Sequence, residues 1–169
     1  MEGAAMDRIP LVAVVLHSIP ESVVLLSLAG AILGLRWEFR LIFPAAVLSA
    51  LAAWGVRALP LPYGVHTLIG VLVLTLLLVA FFRVSFLRGL IGTLFALGSL
   101  AVVQILMIPV LAQAVGVTEL RDLWTESGLR ILLAWPELVL MGLVAWLLYH
   151  FRPFPKPSNR AEDGERWNA

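Results

Sequence analysis

At 169 residues, 61% hydrophobic and 14% charged, with a mean hydropathy of +0.97, the chain is far more apolar than a soluble domain, which carries about 25% charged residues. A net charge of +1 with no clustered basic face excludes nucleic acid as a partner. The absence of cysteine excludes disulfides, thiolate metal sites and cysteine nucleophiles.

These numbers predict an all-α polytopic membrane protein without a separate soluble domain, because no polar stretch is long enough to bury a core of its own. Met1 to Ala5 is not basic, and the apolar run that follows is too long for a removable signal segment, so it is expected to stay as a span. The first of five spans covers about 11–35 and contains His17-Ser18-Ile19-Pro20-Glu21, an imidazole and a carboxylate inside an apolar run. With a rise of about 1.5 Å per residue, Glu21 lies roughly 15 Å into this span, where an ionisable group is a functional candidate. The same residues also read as a capping box at a membrane surface, with Ser18 accepting from the first turn, Glu21 reaching back and Pro20 needing no donor. Both readings stand on the sequence alone. Gly30 and Gly34, four apart, predict close helix packing.

Arg36 to Arg40 is a short charged turn carrying Trp37. Span two, 41–59, spaces Ala45, Ser49 and Ala53 four apart and offers a matching small face, so spans one and two are expected to form an antiparallel hairpin. Pro60 and Pro62 force a turn before span three, 65–82, and Tyr63 among leucines predicts a loop that stays at the interface or dips inward. His66 falls in the first turn of that span, and Ser85 is a predicted helix cap. Span four, 89–115, holds Gly89, Gly92, Gly98, Gln104 and Pro109; a lone Gln in a span predicts an interhelical hydrogen bond. The spacing of Val117, Leu120, Leu123 and Trp124 predicts a short interfacial helix over 117–128. Span five, 129–151, carries a second Pro-Glu pair at Pro136-Glu137. Residues 1–151 thus form one membrane domain, and 152–169, rich in proline and charge, are expected to be a disordered cytoplasmic tail.

Five spans put the termini on opposite faces. Arg36, Arg40, Arg83, Arg88, Arg152, Lys156, Arg160 and Arg166 fall on one side, against Arg8, Arg57, Arg121 and Arg130 on the other. The positive-inside rule then puts the N-terminus outside and the C-terminus in the cytoplasm of a bacterial inner membrane. In that orientation His17, Glu21, His66, Gln104, Arg130 and Glu137 fall in one layer toward the outer face. The expectation is a shared polar cavity, closed by the loop containing Pro60, Pro62 and Tyr63.

The chain has no Walker loop, dinucleotide fingerprint, zincin motif or nucleophile elbow, and Asp7, Asp122 and Asp163 lie outside the spans. Ser18 beside His17 is not a nucleophile with its base, because adjacent helical residues diverge. An enzyme is not expected, nor a cofactor, nor a metal, since two Glu and two His in the spans give only a weak ligand signal.

Ile19-Pro20-Glu21, the stretch from Arg57 to Thr67, and Arg130-Ile131-Leu132 leading to Pro136-Glu137 resemble the N-terminal polytopic membrane region of Spo0B/Agr-type bacterial sensor histidine kinases, which carry a GHKL-type ATPase domain. The resemblance runs from about residue 10 to residue 152. In those kinases a dimerisation helix and an ATP-binding domain follow the last span, whereas the 17 residues after Arg152 contain neither. It therefore implies a sensory or regulatory module acting through a kinase or regulator in the membrane or cytoplasm, with the lipid bilayer as its medium and homodimerisation open. A small proton- or cation-coupled transporter is the alternative drawn from the buried glutamates.

Overall fold

The structure is a computed structural model, and it describes residues 14–59, 62, 64–115 and 127–151. Among these residues the elements are helical: a π turn over Val14–Ser18 runs into α1 (Ile19–Ile32), followed by α2 (Phe39–Arg57), α3 (Val65–Phe82), α4 (Phe86–Val115) and α5 (Ser127–Phe151). Four stretches, Val15–Ile32, Phe39–Arg57, Val65–Phe82 and Phe86–Met107, are long and apolar enough to cross a bilayer, and Trp135–Phe151 is a shorter apolar helix. The predicted interfacial helix falls largely on 116–126, outside the described residues, and its last two positions, 127 and 128, belong to α5. The tail from 152 also lies outside them.

α1 is the hub, packing against α2, α4 and α5, while α2 contacts α3, α3 contacts α4 and α4 contacts α5. Its buried residues, Ser22, Leu25, Leu26, Leu28, Ala29, Gly30 and Ala31, surround most of the helix, as a hub requires. α2 instead buries Ile42, Ala45, Ala46, Ser49 and Ala50, a single stripe at the three-and-four spacing of one helix face. Four of those five side chains are small, so the α2 backbone comes close to its neighbours. That matters because apolar burial gives no drive between helices already in lipid, leaving close packing and interhelical hydrogen bonds to hold the bundle. The outward faces are large and apolar, including Leu68, Phe95, Ile105 and Val139, each more than 60% exposed. In water such a surface would associate, whereas hydrocarbon solvates it.

The α1 terminus corrects one expectation. Gly34 is not on a helix seam: its φ of +71° places it in the left-handed region just past the end of α1. The Gly34 N–H donates to Ala31 O at 3.1 Å and the Leu35 N–H to Gly30 O at 2.8 Å, the paired bonds of a glycine-terminated helix end. The four-residue spacing of Gly30 and Gly34 therefore serves chain reversal, with Gly30 lying beneath Leu35 and Trp37. The true close approach is at Gly92 on α4, where an added Cβ would lie 2.8 Å from Leu33 Cδ1.

α3 and α4 are joined by the fully buried pair Thr75 and Thr93, with 3.3 Å between their hydroxyl oxygens. The Thr75 hydroxyl also lies 2.7 Å from Val71 O on its own helix, so it has a partner in either direction. Ser85 sits just before α4 and accepts the Gly89 N–H through its carbonyl at 2.9 Å. At this end of the bundle Trp37 folds inward: its Nε1 donates to Ser27 O at 3.0 Å, and its ring stacks on Tyr149 at 4.5 Å. The first connection is thereby tied to both α1 and α5.

Candidate functional site

The polar residues of interest lie at the other end of the bundle, and the chain reaches them through a distorted helix. Pro20 has no N–H to give the carbonyl four residues back, and its ring would crowd that carbonyl in a regular α-helix. The wider π turn over Val14–Ser18 absorbs the mismatch, a deviation found often at functional sites. Ser18 consequently has helical angles, φ −69° and ψ −34°, and makes no side-chain capping bond. The capping-box reading fails for this reason: helical backbone continues ahead of Ser18, leaving no free first turn for it to cap. Glu21 is six residues inside the apolar stretch that begins at Val15, about 9 Å along it.

Around Glu21 the helices leave a cavity of about 250 Å³. Its polar lining comes from Ser18, Glu21 and Ser22 at the start of α1, Ser49 and Arg57 on α2, and His66 and Thr67 at the start of α3. The ends of α2 and the starts of α1 and α3 meet here because consecutive helices alternate in direction. Ser22 Oγ and Ser49 Oγ are 3.3 Å apart, long for a hydroxyl pair, so both hydroxyls retain bonding capacity toward the cavity. His17, one turn before Glu21, brings its Nε2 to 3.6 Å from Glu21 Oε2, and both side chains are about one quarter exposed. Nδ1 of His17 is enclosed without a hydrogen-bond partner.

Glu137 stands apart from this cavity. It is 93% buried on α5, makes a side-chain hydrogen-bonding contact with Gln104 of α4, and is near enough to Glu21 to interact with it through charge. Its Oε1 has no hydrogen-bond partner. A buried carboxyl oxygen without a donor is costly, which marks Glu137 as a position not optimised for stability alone. The six predicted residues therefore divide. Glu21 and His66 share the cavity wall; His17 touches Glu21 from outside it; Gln104 and Glu137 form a second polar group behind Glu21; the Arg130 side chain lies outside the described residues.

Of the loop expected to close the cavity, Pro60 and Tyr63 are outside the described residues, and Pro62 is exposed and absent from the lining. Ala45 is fully buried on α2, whereas Ala53 lines the cavity. Sequence reasoning missed Ser22 and Arg57 as cavity residues. Ser22 lies one position past Glu21 and Arg57 ends its span, and only the α1–α2–α3 arrangement brings both to the same hollow. Among the described residues no group of three or more His, Asp or Glu side chains is arranged to hold a metal ion. No protein-family model, curated protein or solved structure matches the chain.

Proposed function

We propose that this chain is a sensory or regulatory module with five spans in a bacterial cytoplasmic membrane, N-terminus outside and C-terminus inside. In this reading the polar cavity opens on the outer side, and its occupancy is relayed to a kinase or regulator in the membrane or cytoplasm. The observation that carries the proposal is the position of Glu21: it lines a cavity yet belongs to α1, the helix in contact with three others. A change at Glu21 is therefore felt by α2, α4 and α5 together, and through Glu137 by a second buried carboxyl. At the far end, Trp37 links the α1–α2 connection to α5, giving the bundle a path to its cytoplasmic face.

The experiment is copurification of the full chain from its native membrane, followed by measurement of the recovered partner's activity with the wild type, Glu21→Gln and Glu137→Gln. A partner whose activity changes with either variant supports the proposal; a partner indifferent to both contradicts it. The buried Glu137, with the partly exposed Glu21 near enough to act on it through charge, also favours a second reading as a proton- or cation-coupled transporter. Flux through liposomes containing the purified chain alone would replace the first reading with the second.

A further inference from the structure

The chemistry of the cavity walls selects a ligand. We infer that the site takes a primary ammonium joined by a short link to a phosphate, the chemistry of a phosphatidylethanolamine headgroup or of its free phosphomonoester. This inference rests on the reading of the cavity as a ligand site.

The ammonium end is set by α1 and α2. Glu21 offers carboxylate oxygens, of which only Oε2 has a recorded ion-pair partner, and Ser22 and Ser49 add hydroxyl acceptors. Several convergent acceptors match the three N–H donors of a primary ammonium. A quaternary ammonium is recognised differently, by a cage of aromatic faces, and among the described lining residues His66 is the one ring.

The phosphate end is set by Arg57, His66 and Thr67. Among the described residues His17 and Glu21 form the one ion pair, and Arg57 lines the cavity with no carboxylate partner among them. A guanidinium presents a fork suited to phosphate oxygens. α3 begins at Val65 beside it with no capping side chain; the Val65 and Thr67 N–H groups are taken by Pro62 O and Gly64 O, so the helix dipole and the His66 N–H are what favour an anion there.

Between the two ends the wall is formed by Ala52, Ala53, Val56, Ile69 and Val73, whose side chains offer contact to methylene groups and none to polar ones. Ser49 and Arg57 are eight residues apart, about 12 Å along α2, and the guanidinium can fold back to shorten that span. The volume, about 250 Å³, equals roughly eight waters at about 30 Å³ each, so it suits a headgroup-sized molecule. A simple cation would meet Arg57, and a simple anion would meet Glu21. Opposite charges at opposite ends answer both objections.

The test uses the purified full chain in phosphatidylcholine nanodiscs, titrated with O-phosphoethanolamine, ethanolamine and inorganic phosphate. In parallel, native mass spectrometry reads which lipid is retained from vesicles holding equal phosphatidylethanolamine and phosphatidylcholine. The expected result is one of two. Either O-phosphoethanolamine binds at least about tenfold more tightly than each of its halves, or phosphatidylethanolamine is retained over phosphatidylcholine. The first assigns a free ligand and the second a lipid. In both cases Glu21→Gln and Arg57→Gln should each weaken the signal by about tenfold or more. Arg57 is exposed, so its variant keeps the test decisive if Glu21→Gln fails to accumulate. Equal affinity for ethanolamine and O-phosphoethanolamine would overturn the paired recognition while leaving a cation site in the cavity. No soluble binding together with no lipid preference, or binding indifferent to both variants, would overturn the inference outright. Failure of the sensory reading would show elsewhere, as a partner activity unmoved by Glu21→Gln while headgroup binding persists.

Discussion

Replacing Gly92 by alanine sets two effects of opposite sign against each other. In a helix interior, alanine is favoured over glycine by about 0.8–1 kcal/mol, so the substitution should stabilise α4 if nothing stands in the way. The structure puts Leu33 in the way, with Cδ1 at 2.8 Å and Cγ at 2.9 Å from the new Cβ. Carbon atoms pack best at about 3.5–4.0 Å, so the methyl group intrudes by roughly 0.7 Å or more. Because the Leu33 branch carbon is itself too close, rotating a terminal methyl group does not relieve the overlap. Leu33 is the C-cap of α1 and adjoins Gly34 in its left-handed turn, so it has little backbone freedom to retreat. Overpacking of this kind costs about 1–3 kcal/mol, more than the propensity gain in most of that range. The net expectation is destabilisation by about 0.5–2 kcal/mol. Gly55→Ala on α2 is the control, since nothing lies within 4 Å of its added Cβ, and it should stabilise. Reversible unfolding by SDS in mixed micelles measures both. Gly92→Ala as stabilising as Gly55→Ala would refute the close approach of α1 and α4.

Four further substitutions probe the polar groups. Thr75→Val and Thr93→Val, singly and together, should reveal a coupling of about 0.6 kcal/mol, the usual size for an interhelical hydrogen bond in a membrane; zero coupling in the same unfolding assay would remove the clasp between α3 and α4. Glu137→Met keeps much of the volume and removes a buried oxygen without a donor together with the Gln104 contact, two opposed effects, so stability should change by less than about 1 kcal/mol while the partner's response is lost; larger destabilisation would make Glu137 a structural residue instead. Trp37→Phe keeps a ring to stack on Tyr149 but loses the bond to Ser27 O, at an expected cost of about 0.5–1.5 kcal/mol in unfolding; no cost would mean that the indole N–H is not holding the connection.

Helices and their apolar character were legible because the runs are long and nearly free of charge, as in Val65–Phe82. What each helix faces was not. The stripe of α2 from Ile42 to Ala50 can be recognised by its spacing, but the burial of α1 on several sides cannot, because lipid-facing and protein-facing leucines look alike when both environments are apolar. Gly30 and Gly34 show a similar ambiguity, since small residues four apart serve a packing seam and a helix end equally well. Arg36 just past Gly34, with apolar Leu35 between them, was the available hint that the helix stops there. The division of the polar residues into a Glu21–His66 cavity and a Glu137–Gln104 group depends on helix rotation, which depth along each span does not give. The Trp37–Tyr149 stack joins residues more than a hundred positions apart, so nothing local in the sequence announces it.

The chain has no cysteine, so single cysteines can report on water directly. Ser49, though 7% exposed, lines the cavity, whereas Thr75 is fully buried between α3 and α4. The account predicts that a membrane-impermeant methanethiosulfonate reagent modifies Ser49→Cys in proteoliposomes and leaves Thr75→Cys unreacted. Equal inertness of the two positions would mean that no water-filled hollow exists beside Glu21.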